Sequence, residues 1–315
     1  MSNKVRISIA LAVFNGEKFL SEQLDTILSQ TVRDWELIIS DDGSSDNTLS
    51  IIKKYMKQDF RIHLVENKNR HGCAGNFENA LNYCTGEYIA FCDQDDVWTE
   101  DHLEHLLSIL GDKSLAFADA EAVDVDLQSL NFFWGGKFLI TEDHLKNNLL
   151  LHLIFLNFVQ GTAVLFKKEL LDFLPFPYVL FHDHWAAISA VLKNGIAYSS
   201  KSILKYRQHG SNTCGVMNHS LLYKIKHLHS EGVRRIDFYH AIFEFVHSHE
   251  HLMTDENKSN VKKSFLIAES ILFKRSFRTF RKYYDVIFWD SDKKKIFPRY
   301  FMYCLFFPLI RKKRK

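Results

Sequence analysis

The sequence predicts an α/β fold, with a sheet flanked by helices and a helical C-terminal appendage. Two observations carry this prediction. Over the first two hundred residues, short apolar runs alternate with stretches of helical periodicity, which is typical of repeating βα units. Beyond about Asn218 the pattern changes to long helical stretches with few turn signals. We therefore predict one domain over residues 1–215 and a helical, basic region over residues 216–315.

The apolar runs are interpreted as strands and the amphipathic stretches between them as helices. The predicted strands are Val5–Val13, Trp35–Ser40, Ile62–Glu66, Tyr88–Cys92, Leu115–Ala118 and Val159–Phe166. The predicted helices between them are Glu17–Ser29, Asp46–Lys57, Gly75–Tyr83 and Glu100–Leu110. Because open α/β sheets bind ligands beyond the carboxyl ends of their strands, polar clusters at those ends are candidate sites.

Composition narrows the possible classes of protein. A chain of 315 residues with 46% hydrophobic residues can bury a large core. Its five cysteines are widely spaced and form no CxxC pair, so we expect neither a disulfide framework nor a zinc site. Residues 1–9 show no long apolar segment behind a basic flank. We therefore expect a cytoplasmic protein.

The strongest chemical signal is the segment Asp93-Gln-Asp95-Asp96, which follows an apolar strand. Three carboxylates in four residues cost stability unless a cation or hydrogen-bond donors offset their charge. Mg²⁺ and Mn²⁺ prefer oxygen ligands and can bridge carboxylates to phosphates. The alternative is a solvated acidic turn, with Asp96 or Thr99 capping the next helix.

A second acidic cluster, Asp41-Asp42-Gly43-Ser-Ser-Asp, also lies where a predicted strand leads into a helix. A carboxylate here could accept the N3 proton of uracil or thymine, and Gly43 would let the loop approach a ligand closely. The same residues are also typical of an ordinary turn and helix cap.

Two further clusters follow in the second half of the domain. His182-Asp183-His184-Trp185 opens a predicted helix, and Asp183 could serve there as a general base. A zinc site is disfavoured, because residues one and two apart do not face the same way on a helix, and a simple helix cap remains the alternative. Arg207-Gln-His209 follows a short strand and offers a guanidinium for phosphate and an imidazole for metal.

Taken together and in this order, these motifs resemble those of family 2 glycosyltransferases of the GT-A fold. The resemblance includes Ala12-Val-Phe-Asn15 and covers roughly residues 5–212. It implies a nucleotide-binding mixed sheet flanked by helices. Several members carry an arginine immediately before the asparagine that corresponds to Asn76, where this chain has Gly75. This departure puts one phosphate contact in doubt, for which Arg70 or Arg207 could substitute.

The resemblance also implies roles for individual residues. Phe14 and Asn15 would line the base and ribose pocket, Asp41 or Asp42 would contact the pyrimidine, and Asn76 would belong to the nucleotide-sugar site. Asp93 and Asp95 correspond to the DXD motif that meets ribose and metal. Asp183 would be the base that activates the acceptor, Arg207 would lie near the pyrophosphate, and His209 would complete the metal shell.

The function implied is an inverting transfer of a sugar from a nucleoside diphosphate, dependent on Mn²⁺ or Mg²⁺. The donor would be dTDP-rhamnose, by similarity to rhamnosyltransferase-like members, or a UDP-hexose. The acceptor would be lipid-linked or a polysaccharide, in cell-surface polysaccharide biosynthesis. The alternatives are a sugar-phosphate nucleotidyltransferase, whose Gly-rich basic loop is missing after the first strand, and a catalytically silent scaffold of the same fold at a membrane surface.

The C-terminal region carries the basic charge. From Lys258 to Lys315 there are 17 Lys or Arg and four Asp or Glu, so this part has a net charge of +13, and the first 257 residues carry −11 within a chain of +2. The apolar run Tyr300–Ile310 is too short to span a bilayer. With its basic flanks it predicts peripheral association with the inner face of a membrane rather than nucleic-acid binding, although a core helix is also compatible with it.

Overall fold

A computed structural model describes residues 6–68, 70–135, 140, 145, 148–177, 180–210, 237–274, 276, 278–279 and 282–283. Among these residues, nine strands form one sheet. They are β1 Ile7–Val13, β2 Trp35–Asp41, β3 Ile62–Glu66, β4 Tyr88–Asp93, β5 Val97–Trp98, β6 Leu115–Val123, β7 Ser129–Phe133, β8 Val164–Lys167 and β9 Ile196–Arg207. The predicted α/β class with a mixed sheet is confirmed by this architecture.

The helices of the described residues alternate with the strands in the first part of the chain. They are α1 Leu20–Leu28, α2 Thr48–Gln58, α3 Cys73–Leu81, α4 His102–Leu110, α5 Leu149–Phe155, α6 His182–Leu192, α7 at residues 237–248 and α8 Asp255–Leu272. The helix predicted from His182 onward is therefore present. It begins with the His-Asp-His-Trp segment, as the sequence suggested.

The parallel half of the sheet has the order β3-β2-β1-β4. Strands β1 and β2 are buried along nearly their whole length, which explains why they read as continuous apolar runs rather than alternating ones. The predicted strands in this half agree with the structure to within two residues at their ends. Because these four strands run the same way, their carboxyl ends lie along one edge of the sheet.

The second half of the sheet contains antiparallel pairs. Strand β8 runs antiparallel between β4 and β6, and β9 is parallel to β6. The strand predicted from Val159 begins only at Val164. The side chain of Gln160 explains the difference, because it accepts hydrogen bonds from Thr162 N at 2.7 Å and Ala163 N at 2.8 Å and so holds a short 3-10 helix at Gly161–Ala163.

The chain divides into two compact units. The first contains residues 1–136, 159–176 and 180–211, and the second contains residues 137–158, 177–179 and 212–315. The segment that includes α5 therefore groups with the C-terminal residues, whereas the predicted boundary was a single division at residue 215. In the second unit, α8 packs against α5, and the hydroxyl of Tyr239 on α7 donates to Glu269 at 3.1 Å.

No helix among the described residues is both long and apolar enough to cross a membrane. The apolar run Tyr300–Ile310 and its basic flanks lie outside the described residues.

Candidate active site

The polar clusters predicted from the sequence meet at the carboxyl edge of the three strands β2, β1 and β4. In the parallel register, Val13 of β1 lies opposite Asp41 of β2, and Ala12 lies opposite Asp93 of β4. The loops that leave these strands therefore start side by side. The structure brings together the first-strand loop, the Asp41-Asp42 loop and the Asp93–Asp96 segment.

Asp41 and Asp42 are neighbours in sequence but have different surroundings. Asp41 is 5% exposed, and its Oδ2 accepts hydrogen bonds from Gly43 N and Ser44 N, both at 3.0 Å. Its Oδ1 is buried and has no hydrogen-bond partner among the described residues. Gly43 has a φ of +90°, so this turn favours glycine. A buried acceptor without a donor costs free energy, and Asp41 is the carboxylate that a ligand donor would satisfy.

Asp42, in contrast, is already bonded to the loop that precedes α3. It accepts hydrogen bonds from Asn67 Nδ2 at 2.9 Å and Gly72 N at 2.7 Å, and its Oδ1 lies 2.7 Å from His71 Nδ1. These contacts hold the loop 67–72 in place. Of the two residues predicted to contact the pyrimidine, Asp41 has a buried oxygen without a partner among the described residues, whereas Asp42 is bonded to the loop 67–72.

Phe14 and Asn15 leave β1 with their side chains in different environments. The ring of Phe14 is 53% exposed, as expected for a side chain that a planar ligand could cover. Asn15 has a φ of +48° and bonds to the neighbouring loop: its Oδ1 accepts from Ser45 N at 2.8 Å, and its N–H donates to Ser44 Oγ at 2.9 Å. Asn15 therefore fixes the shape of the edge, and Phe14 presents the apolar surface.

Asn76 lies behind the first-strand loop on α3. It is 2% exposed, its Nδ2 donates to Val13 O at 3.0 Å, and its Oδ1 has no hydrogen-bond partner among the described residues. The preceding residue, Gly75, lies against the main chain of Arg70, and a Cβ at this position would be 1.9 Å from Arg70 O. An arginine at position 75 would therefore require the loop before α3 to move.

Arg70 was one of two residues that could replace that arginine. Its guanidinium lies 3.2 Å from Glu78 Oε2 and donates to Phe176 O at 3.2 Å. Glu78 also accepts from Phe176 N at 3.2 Å. These contacts join α3 to the segment before α6, and a phosphate contact by Arg70 would require them to break.

The acidic segment at the end of β4 has strongly perturbed carboxyl groups. Burial, followed by the charges of Asp95, Asp96 and Asp183, raises the pKa of Asp93 well above its ordinary value. Burial and the charge of Asp95 raise the pKa of Asp96 to about 8, although Thr162 and Arg207 oppose this shift. Like charges held close together in a buried site are typical of functional sites.

Asp96 does not cap the following helix, which was the structural alternative. Its Oδ2 accepts from Thr162 Oγ1 at 2.6 Å, and its Oδ1 accepts from Arg207 N at 3.1 Å. Asp96 therefore joins the end of β4 to β9 and to the 3-10 helix before β8.

Arg207 is buried, and its guanidinium is surrounded by protein. It donates to Asp95 O at 2.9 Å and Val125 O at 2.7 Å, it is paired with Glu22 of α1, and it lies 4.5 Å above the ring of Phe19. The predicted pyrophosphate contact would require the guanidinium to leave these partners. In the observed geometry Arg207 holds the backbone of the acidic segment in place.

Asp95 and His209 were predicted to bind metal, and the structure places them in contact. Asp95 Oδ2 is 2.8 Å from His209 Nε2, and the imidazole lies 5.1 Å from the ring of Phe19. Within the part of the chain that the structure describes, no three His, Cys, Asp or Glu side chains form a metal site by themselves. A carboxylate and an imidazole do fit the binding mode in which one or two protein ligands share an ion with substrate phosphates.

Asp183 lies in the first turn of α6, where His184 N donates to its Oδ1 at 2.6 Å. The neighbouring His182 is buried and stacks on Phe77, with ring centroids 3.8 Å apart, and burial lowers its pKa to about 3. His182 is thus a neutral imidazole packed in the protein interior. The ring of His182 supports the turn that carries Asp183. Gly161 leaves room for this ring, because a Cβ at position 161 would lie 2.7 Å from His182 Nε2.

Three residues with a clear structural role were not predicted from the sequence. Glu22 and Thr162 fix Arg207 and Asp96, and Gln94 bonds to the main chain of Phe14. Gln94 lies within the predicted motif, but nothing in the sequence distinguishes an amide that contacts a neighbouring loop from one in solvent. Glu22 and Thr162 lie far along the chain from their partners.

Comparison with known proteins identifies the family of this chain. It is 30% identical over 191 residues to the UDP-Glc:alpha-D-GlcNAc-diphosphoundecaprenol beta-1,3-glucosyltransferase WfgD of Escherichia coli, covering 61% of this chain and 72% of WfgD. It is 27% identical to WfaP of E. coli, covering 75% of this chain and 92% of WfaP.

A solved structure shares the fold. The crystal structure of S. aureus TarS 1-349 in complex with UDP-GlcNAc superposes with a TM-score of 0.54 at 17% identity, covering 82% of this chain and 79% of TarS 1-349. The family model for Glycosyl transferase family 2 matches residues 8–174, which is more than half of the chain. The chain therefore belongs to glycosyl transferase family 2.

Proposed function

We propose that this protein transfers a hexose from a UDP-sugar to a lipid-linked acceptor, with inversion at the anomeric carbon, in polysaccharide biosynthesis. The observation that carries the proposal is the meeting of Asp41, Phe14 and the Asp93–Asp96 segment at one edge of the sheet. A nucleoside diphosphate sugar requires a hydrogen-bond acceptor for the pyrimidine, an aromatic surface for the base and carboxylates that can hold a cation near the diphosphate. This edge of the sheet offers all three.

The residues of this edge have distinct roles in the proposal. The buried Oδ1 of Asp41, which has no partner among the described residues, would accept the N3 proton of uracil. Asp93 would contact the ribose, and Asp95 with His209 would hold Mn²⁺ or Mg²⁺. The ion, when bound, neutralises charge that develops on the leaving diphosphate. Metal binding would open the 2.8 Å contact between Asp95 and His209.

Asp183 is the proposed general base. Its carboxylate would remove the proton of the acceptor hydroxyl as that oxygen bonds to the anomeric carbon, while the bond from this carbon to the diphosphate oxygen breaks on the opposite face. A single displacement of this kind inverts the configuration and needs no covalent intermediate. The hydrogen bond from His184 N to Asp183 Oδ1, 2.6 Å long, fixes the orientation of the carboxylate for this step.

The choice of donor rests on different kinds of support. The names of WfgD and WfaP specify UDP-glucose, and this supports a UDP-hexose. The His-Asp-His-Trp and Arg-Gln-His motifs resemble those of rhamnosyltransferase-like members, which would favour dTDP-rhamnose. Asp41 offers the same acceptor to uracil and to thymine. We therefore take a UDP-hexose as the proposed donor and dTDP-rhamnose as the competing outcome.

Calorimetric titration tests this proposal. The full chain is titrated with UDP, dTDP and GDP, each with Mn²⁺ and with EDTA. We expect UDP to bind only, or much more tightly, with Mn²⁺, and Asp41→Asn to weaken it. If the protein binds dTDP more tightly than UDP, dTDP-rhamnose replaces the UDP-hexose as the proposed donor. Absence of binding by all three nucleotides in Mn²⁺ would refute a nucleotide-sugar transferase.

Association with the inner face of a membrane is the second part of the proposal, and the second unit supports it. One face of α8 and the residues after it line an open groove of about 520 Å³. Among the described residues that line this groove there is no Asp or Glu. The lining has an exposed apolar residue, Leu266, and four cationic side chains: Lys262, Lys263, Arg278 and Lys282. Each basic residue near an anionic leaflet contributes about 1 kcal/mol.

Sedimentation with lipid vesicles tests the membrane association. We expect the full chain to bind vesicles that contain phosphatidylglycerol and not those of phosphatidylcholine alone. The double variant Lys262→Glu/Lys263→Glu should bind much less. Lys258→Glu is the matched control, because Lys258 lies on the same helix, outside the groove and 3.5 Å from Asp255. Equal loss in the control, or no loss in the double variant, would contradict a role for the groove.

A further inference from the structure

The side chain of Gln94 lies between carboxylates in sequence but binds the main chain of the first-strand loop. Its Oε1 accepts a hydrogen bond from Phe14 N at 2.9 Å, and its Nε2 donates to Phe14 O at 3.1 Å. One amide therefore satisfies both main-chain polar groups of Phe14. If the amide were rotated by 180°, its NH₂ group would lie against the N–H of Phe14 and its oxygen against the carbonyl oxygen. The two hydrogen bonds therefore define the orientation of the amide.

The position of this contact follows from the sheet. Ala12 of β1 lies opposite Asp93 of β4 in the parallel register, so the chain leaves the two strands at neighbouring points. Beyond the last paired residues, no strand hydrogen bonds hold the first-strand loop to β4. The amide of Gln94 continues the connection between the two strands by side-chain contacts.

Gly16 makes room for the same amide. A Cβ at Gly16 would lie 2.4 Å from Gln94 Oε1 and 2.8 Å from Gln94 Cδ. Its backbone does not have the positive φ that would itself require glycine. The space at Gly16 is therefore needed for the side chain of Gln94, and this provides a second way to disturb the contact.

Phe14 is what the contact holds in place. Its ring is 53% exposed at the edge where Asp41 and the acidic segment meet. An exposed ring is an effective stacking surface only when the backbone that carries it is fixed, because a mobile ring must be ordered when the ligand binds. Gln94 fixes that backbone from the same segment that carries Asp95.

We infer that Gln94 is a positioning residue that holds the ring of Phe14 as the stacking surface for the pyrimidine of the donor nucleotide. The inference rests on the proposed function, since it requires a nucleotide at this edge. It adds to that function a physical link between the base end and the diphosphate end of the site. In this role Gln94 acts through the main chain of Phe14 and not on the reacting atoms.

A double-mutant cycle with UDP as the ligand tests this inference. Its members are Gln94→Ala, Phe14→Ala and the double variant, and the dissociation constant of UDP is measured with Mn²⁺ by calorimetry. We expect Gln94→Ala to weaken UDP binding by about threefold to tenfold, the range of one or two net hydrogen bonds. Because Gln94 acts through the ring, adding Gln94→Ala to Phe14→Ala should weaken binding no further.

Two other variants complete the experiment. Gly16→Ala displaces the amide from the other side, so we expect it to weaken UDP binding in the Gln94 protein and to have little effect in the Gln94→Ala protein. Gln128→Ala is the matched control, because Gln128 is an exposed glutamine of the β6–β7 turn that donates to Asp126 O at 3.3 Å. It should bind UDP as the parent protein does.

The outcomes separate this inference from the proposed function. If the parent chain binds no nucleotide, the proposed function is wrong. If the parent binds UDP and the effects of Gln94→Ala and Phe14→Ala multiply, or if Gln94→Ala lowers the melting temperature of the free protein without changing UDP affinity, the positioning role is wrong.

Discussion

Two acidic sites lie at opposite ends of the same parallel strands, and they differ in the number of carboxylates that share the available protein donors. At the amino ends, Glu36 of β2 accepts hydrogen bonds from Ser8 Oγ at 2.5 Å, Thr85 N at 2.7 Å and Thr85 Oγ1 at 2.8 Å. At the carboxyl ends, burial and the charge of Asp95 raise the pKa of both Asp93 and Asp96. A single carboxylate surrounded by donors stabilises the fold, whereas several carboxylates held close together favour a ligand that offsets their charge.

The largest expected effect is at the carboxyl ends, on catalysis. Asp183→Asn removes the proposed base and should lower kcat by about 10² to 10⁴, because the amide cannot take a proton from the acceptor. Turnover of the UDP-sugar with a lipid-linked acceptor is the measurement, and UDP affinity is the control, which should stay unchanged. Near-normal turnover in this variant would remove the base assignment.

The next effect is at the amino ends, on stability. Glu36→Ala removes the oxygen that accepts from Ser8 and Thr85, and because these donors lose that partner it should lower the free energy of unfolding by about 1 to 3 kcal/mol. Activity per folded molecule should not change. Urea denaturation gives the stability. Glu66→Ala is the control, since Glu66 is an exposed glutamate at the end of β3 and its carboxylate pairs with the exposed Lys68. Equal stability of both variants would contradict the comparison.

The third expected effect is a pH dependence of stability. Because the pKa of Asp96 is raised to about 8 from 3.8, the folded state holds this proton more tightly than the unfolded chain. The resulting stabilisation is complete below the unfolded value and is lost as pH rises through about 8, by at most about 1.4 kcal/mol per pH unit. Urea denaturation in EDTA from pH 6 to 9 should show the decrease.

Asp96→Asn is the corresponding variant for the pH experiment. It cannot titrate, and its stability should therefore fall less steeply between pH 7 and pH 9 than that of the parent. An identical slope in the two proteins would assign the pH dependence to other groups.

The sequence predicts best those parts of the fold that are buried on both faces. Strands β1, β2 and β4 are buried on both faces, and such strands are continuous apolar runs in the sequence. The candidate residues follow directly at the ends of these runs. Strand β7 was not predicted, since its residues Ser129–Phe133 are largely exposed and have no core-facing alternation. Strand β9 was recognised only near Tyr206, because its middle residues, Ser199 to Ser202, are polar and partly exposed.

The candidate site shows the same limit at the level of single side chains. The residue types at Asp41, Asp95 and Asp183 indicate their chemistry, and the motifs indicate their order. The sequence does not indicate that Glu22, 185 positions before Arg207, would pair with its guanidinium, or that Asp42 would bond to Asn67 and Gly72. These contacts depend on loops whose paths are set by the whole sheet.

The close approach at Gly75 bears on how this sequence can change over generations. With the carbonyl oxygen of Arg70 only 1.9 Å from where a Cβ would stand, a lone exchange to arginine would push the preceding loop away from Asp42. An arginine could therefore be accepted at position 75 only after another change had moved residues 70–72. Whether a substitution at position 75 is tolerated therefore depends on the order in which mutations arise.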